Sequence, residues 1–243
     1  MGNKQYTAQQ LAERFVDQRE VQNVMGKYVF TTMICKDADV VARFWSKKAP
    51  EPALGFNNGW YVGLDAIDGY YQAVSANTAV RSKAIQARFP EKLGEKTDEE
   101  LYGTGTMNVR PLTTVLVEVA GDGQTAKGLW QVMGVDNDIT EYGPLSTWRW
   151  GWAAADFVLE DGEWKVWHLQ MLDEIVTPVG SKWTEPNPYP VLPEFAHLAQ
   201  LKVPEPNRPC TLYTAYRTDR PFQAPPEAPV PYQTFAETFS YGA

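Results

Sequence analysis

The chain has 243 residues, with 22 Lys and Arg against 30 Asp and Glu, a formal charge of −8 and a pI near 4.9. That length buries a sizeable core in one large domain or two small ones, and the acidic balance argues against a duplex nucleic-acid binder, whose affinity comes from Lys and Arg neutralising phosphates. No apolar run reaches membrane-spanning length, and the opening MGNKQYTAQQ carries no secretory signal. Two cysteines, Cys35 and Cys210, without a CxxC pairing fit a reducing, cytoplasmic compartment. With two histidines, His168 and His197, the sequence offers no metal motif, and it has no fingerprint for an organic cofactor.

The first helix starts at Thr7, an N-cap with Gln10 three residues on. Leu11, Phe15, Val21, Val24, Met25, Tyr28 and Val29 then recur at helical spacing. A short second helix is predicted over Asp39–Trp45, a strand over Gly55–Gly63 with Trp60 and Tyr61, and a third helix over Leu64–Ala87. The polar stretch 90–105 reads as loop. From there the apolar period becomes two, over Met107–Val119, Ala126–Val135, Thr147–Leu159 and Glu163–Leu172. Asp-Gly pairs in AGDGQTA (120–126) and EDGE (160–163) mark tight hairpins, whereas DNDITEYGPLS (136–146) reads as a longer connection. Helices followed by an antiparallel meander make an α+β fold. Six of the nine tryptophans lie between Trp130 and Trp167, and thirteen of the 18 prolines lie beyond residue 177. The chain therefore divides into a body, 1–177, and a Pro-rich arm, 178–243. The arm is rich in Tyr and Phe, unlike a disordered linker, so it is expected to pack on the body or on a second subunit.

Three strings carry a family resemblance. VQNVMGKYVFTTMICKDADVVARFW, with Tyr28 in mid-helix, is followed by VRPLTTVLVEVAGDGQTAKGLW and ADFVLEDGEWKVWHLQML. In that order they resemble the SnoaL-like and ketosteroid-isomerase-like members of the nuclear-transport-factor-2-like superfamily. The resemblance spans about residues 21–175. It implies an α+β cone of three N-terminal helices against a curved, mostly antiparallel sheet, a homodimer, and cofactor-independent chemistry on a small molecule. It departs from the dehydratase members at two places. The first helix has Thr31 and Thr32 where an acid is usual, with Asp37 and Asp39 at its end, and Met107-Asn108-Val109-Arg110 stands where a strand His is usual.

Candidate chemistry follows from residue type and position. His168 suits proton transfer near neutral pH, and strict alternation places it on one face with Val166, Gln170 and Leu172. Tyr28 can donate to a substrate oxygen. Arg110 and Arg149 lie inside apolar strands, where a buried guanidinium must be paired and can fork onto an oxyanion. Asn108 shares the face of Arg110, and Asp37 and Asp173 are acids at element ends. Trp45, Trp60, Tyr61 and Trp130 are candidate pocket aromatics, against the plainer reading that such rings form core. His197 reads as surface.

These residues support a lyase acting on a hydrophobic, hydroxylated aromatic or polycyclic molecule, with His168 and Tyr28 moving protons and Arg110 and Asn108 stabilising charge. The resemblance implies dehydration as the outcome or, through its likeness to lyases of lignin-type diarylpropanoids, loss of formaldehyde. The alternatives are a ketosteroid-isomerase-type isomerase or cyclase, needing an acidic base such as Glu118 or Asp156, and a non-catalytic binding module. No nucleic-acid or membrane partner is expected.

Overall fold

The computed structural model describes residues 6–184, 187–211 and 213–242. Helix α1 (Ala8–Met33) opens on a full capping box: Gln10 N donates to the Thr7 hydroxyl, and Thr7 N donates to the Gln10 side chain. Two amides that a helix start leaves without partners are thereby satisfied. A 3₁₀ turn, Asp37–Asp39, leads into α2 (Val40–Phe44). The strand expected over Gly55–Gly63 is a hairpin of β1 (Ala53–Phe56) and β2 (Gly59–Val62). Helix α3 (Leu64–Arg88) follows as expected. The expected loop at 90–105 instead holds two single-turn helices, α4 (Pro90–Leu93) and α5 (Asp98–Leu101). The second is nucleated by a Thr97–Glu100 capping box, a signal present in the sequence.

The sheet is completed by β3 (Met107–Val109), β4 (Leu112–Val119), β5 (Thr125–Thr140), β6 (Gly143–Glu160) and β7 (Glu163–Pro178). Pro111, which has no N–H for the ladder, lies in the break between β3 and β4. Strand order is β2-β1-β7-β6-β5-β3, with β4 also paired to β5; β1 and β7 are parallel and every other pair is antiparallel. The expected long connection at 136–146 is corrected here. β5 and β6 run on through it to a tight turn between Thr140 and Gly143, with Gly143 at φ 84°. The Asp-Gly turn after β6 takes positive φ at both Asp161 (53°) and Gly162 (82°), the backbone that a twisted two-residue hairpin requires.

The result is the α+β class, with α1, α2 and α3 packed on one face of a curved, unclosed sheet. Val21, Met25 and Tyr28 of α1 and Ile67 and Tyr71 of α3 meet Trp130, Val132, Ala153, Ala155, Phe157 and Leu169 in one core. Residues 179–242 contain no further strand among those described, and they return to the body at several points. Phe195 and Leu198 join Ile139, Ala84 and Ile85. Arg208 bridges to Trp60, and Tyr241 packs on Leu129 and Ala154. No helix among the described residues is long and apolar enough to cross a membrane.

Two irregularities in β7 decide which side chains face the helices. Asp156 pairs with His168, but Phe157 pairs with Val166, leaving Trp167 as an extra residue; likewise Gly151 pairs with Asp173 but Trp150 with Ile175, leaving Glu174 over. Each bulge adds one residue and reverses the alternation of all that follow.

Candidate active site

A cavity of about 270 Å³ lies between α1, α3 and the sheet. Tyr28 and Val29 of α1 reach it from one side, and Tyr70, Tyr71, Val74, Asn77, Thr78 and Arg81 of α3 from another. The α3 residues recur every three or four positions, which puts them on one helix face. Asn108, Arg110, Asp138 and Met171 enter from the sheet, and Asp37 from the 3₁₀ turn after α1. Four residues selected from sequence, Tyr28, Asp37, Asn108 and Arg110, therefore come together.

Asp37 is buried. Its removal from water raises the carboxyl from the ordinary value of 3.8 to about 6, against the lowering effects of its own backbone amide and of Arg110. The turn is held over the cavity because Ala38 N donates to the Ser75 hydroxyl of α3. Tyr28 and Tyr71 share a hydrogen bond of 3.0 Å between their hydroxyls. Burial pushes the Tyr28 phenol up to about 12 and the Tyr71 phenol well above its usual value, so both are neutral donors at physiological pH.

Arg110 forks onto Asp136 through Nε at 3.0 Å and Nη2 at 2.5 Å. The same carboxylate accepts from Arg149 Nε, and Arg149 Nη1 donates to Asp173. Two cations and two anions thus form a chain from the β3–β4 break across β5, β6 and β7. Arg110, Arg149 and Asp173, with Phe56, Tyr70 and Met171, line a smaller recess of about 150 Å³ beside the main cavity. Arg149 and Asp173 therefore sit next to the site rather than in its main chamber, and the fork expected to take a substrate anion is already occupied by Asp136. Arg110 Nη1 has no hydrogen bond among the described residues and remains available to a ligand.

His168 is not in this cavity. The bulge at Trp167 breaks the alternation, so Val166 and Leu169 face the helices while His168 and Gln170 face outward. There His168 Nδ1 lies 2.8 Å from Asp156, which also holds buried Lys127 at 2.5 Å. The chain end closes over them: Tyr241 N donates to Asp156, Ser240 Oγ lies 3.2 Å from His168 Nδ1, and Phe235, Phe239 and Tyr241 ring the Lys127 ammonium. The four expected pocket aromatics are core. Trp45 and Trp130 are buried among apolar residues, and Trp60 lies flat on Gly55, where a Cβ would come within 2.5 Å of its ring. The Tyr61 ring packs on Phe56 and Tyr70, and its hydroxyl donates to Pro204 O at 2.7 Å. Tyr70, Tyr71, Arg81, Thr106 and Asp138 were missed from sequence. The recurrence of Tyr70, Val74, Thr78 and Arg81 at three- and four-residue spacing on α3 was the available signal.

No protein-family model matches the chain, and no curated protein matches it significantly. Solved structures do resemble it. One is named as a candidate scytalone dehydratase from Novosphingobium aromaticivorans: 12% identity, TM-score 0.49, covering 72% of this chain and 96% of that one. A hexachlorocyclohexane dehydrochlorinase, LinA type 3, from Novosphingobium barchaimii shares 12% identity with TM-score 0.47 over 72% of this chain and 98% of the other. An NTF2-like protein with a cystatin-like fold from Novosphingobium aromaticivorans shares 12% with TM-score 0.40, over 71% and 92%. The chain is similar to structures of the nuclear-transport-factor-2-like kind. The chemistry below rests on its own residues.

Proposed function

We propose that the chain is a lyase that eliminates across a carbon–carbon bond of a hydrophobic, hydroxylated aromatic or polycyclic small molecule, using acid–base chemistry supplied by its own side chains. The observation that carries this reading is a buried carboxyl, Asp37, raised to about 6 and sharing a cavity of mixed polar and apolar lining with the Tyr28–Tyr71 hydroxyl pair and Arg110. A base of that strength is ionised at neutral pH yet holds a proton well enough to take part in transfer. In a dehydration, ionised Asp37 takes a proton from carbon, the electron pair forms the double bond, and the adjacent C–O bond breaks. The hydroxyl departs as water on a proton from Tyr28, which Tyr71 and Asp37 restore. Arg110 Nη1 and the Asn108 amide stabilise negative charge on the substrate oxygen as it builds. His168, separated from this cavity by the sheet, has no part.

The same carboxylate favours a second reading. An isomerase needs an acidic base that takes and returns one proton, and Asp37 meets that need. Of the acids expected to do so, Asp156 is spent on Lys127 and His168, and Glu118 on β4 does not line the cavity. Incubation with a panel of aromatic diols, followed by product mass spectrometry, separates the readings. Loss of the mass of water or of formaldehyde supports the lyase; a product of unchanged mass supports the isomerase; no conversion of any diol counts against both.

We further propose self-association through the outer face of the sheet. Met133, Trp148 and Trp150 are exposed there in adjacent registers of β5 and β6, an apolar cluster of the kind that soluble surfaces otherwise avoid. Sedimentation equilibrium should give a dimer mass that falls to the monomer in Trp148→Glu; a monomeric wild type would remove this proposal.

A further inference from the structure

The cavity has a second polar end that the elimination does not use. Ala38 N on Ser75 fixes Asp37 beside the middle of α3. Arg81 lies six residues beyond Ser75 on the same helix, about 9 Å down the axis at 1.5 Å per residue, and lines the cavity. There Arg81 Nη1 meets Asp138 Oδ2 at 2.7 Å, and the two side chains are 26% and 28% exposed, so the pair is open toward the cavity that both line.

This pair has unused hydrogen-bonding capacity of both kinds. A guanidinium has five N–H donors, yet the contact with Asp138 is the one polar contact of Arg81 among the described residues, and its Nε is buried without a partner. Asp138 Oδ1 accepts from Ile139 N at 2.9 Å, which leaves lone pairs on both oxygens. Thr106 Oγ1, beside them in the cavity lining, is also buried without a partner. Groups left in this state lose their water without gaining a bond, a cost that a complementary ligand recovers.

We infer that this end reads a second hydroxyl of the substrate, which accepts from Arg81 and donates to Asp138. A hydroxyl is the group that satisfies both partners at once. An ether oxygen accepts only and leaves the remaining Asp138 lone pairs without a donor. A carboxylate accepts only and is repelled by Asp138 and by ionised Asp37. Arg81 and Asp138 are thus specificity-determining residues for a neutral substrate carrying one hydroxyl near Asp37 and another at the opposite end of a flat apolar frame. The inference rests on the cavity being the substrate site of the proposed lyase.

Calorimetric titration with four rods of equal core tests it: biphenyl, 4-hydroxybiphenyl, 4-methoxybiphenyl and biphenyl-4-carboxylate. Wild type should bind 4-hydroxybiphenyl about tenfold more tightly than biphenyl or the methyl ether, the effect of one hydrogen bond to a charged partner, and the carboxylate weakest. Arg81→Met should bring 4-hydroxybiphenyl to the affinity of biphenyl. Asp138→Asn should tighten binding of the carboxylate, a change that mere loosening of the fold cannot produce. The inference is overturned if none of the rods binds, if wild type binds biphenyl as tightly as its phenol, or if the phenol preference survives Arg81→Met and disappears in Asp37→Asn. Turnover is a separate readout. An Asp37→Asn chain that still converts substrate would sink the lyase reading, and the binding preference would stand.

Discussion

Asp37 sits under two opposed demands, and both can be measured on one substitution. In the unfolded chain its carboxyl ionises near 3.8, in the folded chain near 6. Between those values the unfolded chain has released a proton that the folded chain keeps, so stability falls as pH rises through the window and stays reduced above it. The penalty is bounded at about 3 kcal/mol. Asp37→Asn should therefore raise the unfolding free energy at about pH 7.5 by roughly 1–3 kcal/mol and leave it unchanged near pH 3, while turnover drops by about 10²–10⁴-fold. Wild-type turnover should rise with pH through about 6 and level off, because the ionised form is the base. Chemical denaturation at the two pH values and a pH–rate profile check both halves; equal destabilisation at both pH values would mark Asp37 as a packing residue. Tyr28, Asn108 and Arg110 were legible in sequence because polar groups inside apolar periodic segments need a reason to be there. Asp37 was legible only as an acid near the end of a helix, since nothing in the local string reports its burial.

His168 was misread at the level of the element, not of the residue. Its type suits catalysis, but period-two counting holds only while every residue of a strand has a partner. One unpaired residue, Trp167, turns His168 outward onto Asp156. Composition does not announce such a bulge, because WKVWHLQML alternates acceptably in either register. His168→Asn, whose amide can replace the Nδ1–Asp156 hydrogen bond, should leave kcat near the wild-type value and lower the unfolding midpoint slightly; a large fall in kcat would return the residue to the mechanism. The second bulge, at Glu174, lets β6 and β7 approach so closely that a Cβ on Gly151 would lie 1.9 Å from Leu172 O. Backbone cannot yield as a side-chain tip can, so Gly151→Ala should cost about 1–3 kcal/mol or more in denaturant titration. It should also disturb turnover, since Asp173 and Arg149 pair at this crossing. The 136–146 misreading has a related origin. Asp136, Asn137 and Asp138 are poor strand formers, and they hold strand conformation here because partners reach them from elsewhere in the chain: Arg110 and Arg149 on Asp136, Arg81 on Asp138, and Gly105 O and the Ser146 hydroxyl on Asn137. Local pattern cannot supply a partner 57 residues away, the separation of Arg81 from Asp138.

At the scale of the molecule, the sheet has to be covered on two sides, and the chain does this with two different kinds of material. The inner face is covered by helices whose polar stripe leaves the reactive cavity. Part of the outer face is covered by the last dozen residues, which bury a Lys–Asp pair under three aromatic rings. A buried ion pair contributes little net stability when intact, because desolvation offsets attraction, but exposing or breaking it removes what compensated that loss. Cutting the chain after Val230 would strip Tyr232, Phe235, Phe239 and Tyr241 from the sheet, along with the Ser240 and Tyr241 hydrogen bonds to Asp156. Each buried aromatic contributes about 1.5–3 kcal/mol, of which ordering the extended segment consumes much. The truncated chain should therefore unfold several degrees earlier and bind a dye for exposed apolar surface. Among molecules still folded, the kcat of the inner-face cavity should change far less than stability, because no residue of the strap lines that cavity. Measuring both quantities on one truncation separates the two jobs: loss of kcat in fully folded protein would mean that the strap shapes the cavity through the sheet, whereas loss of stability alone assigns it to holding the sheet closed from behind.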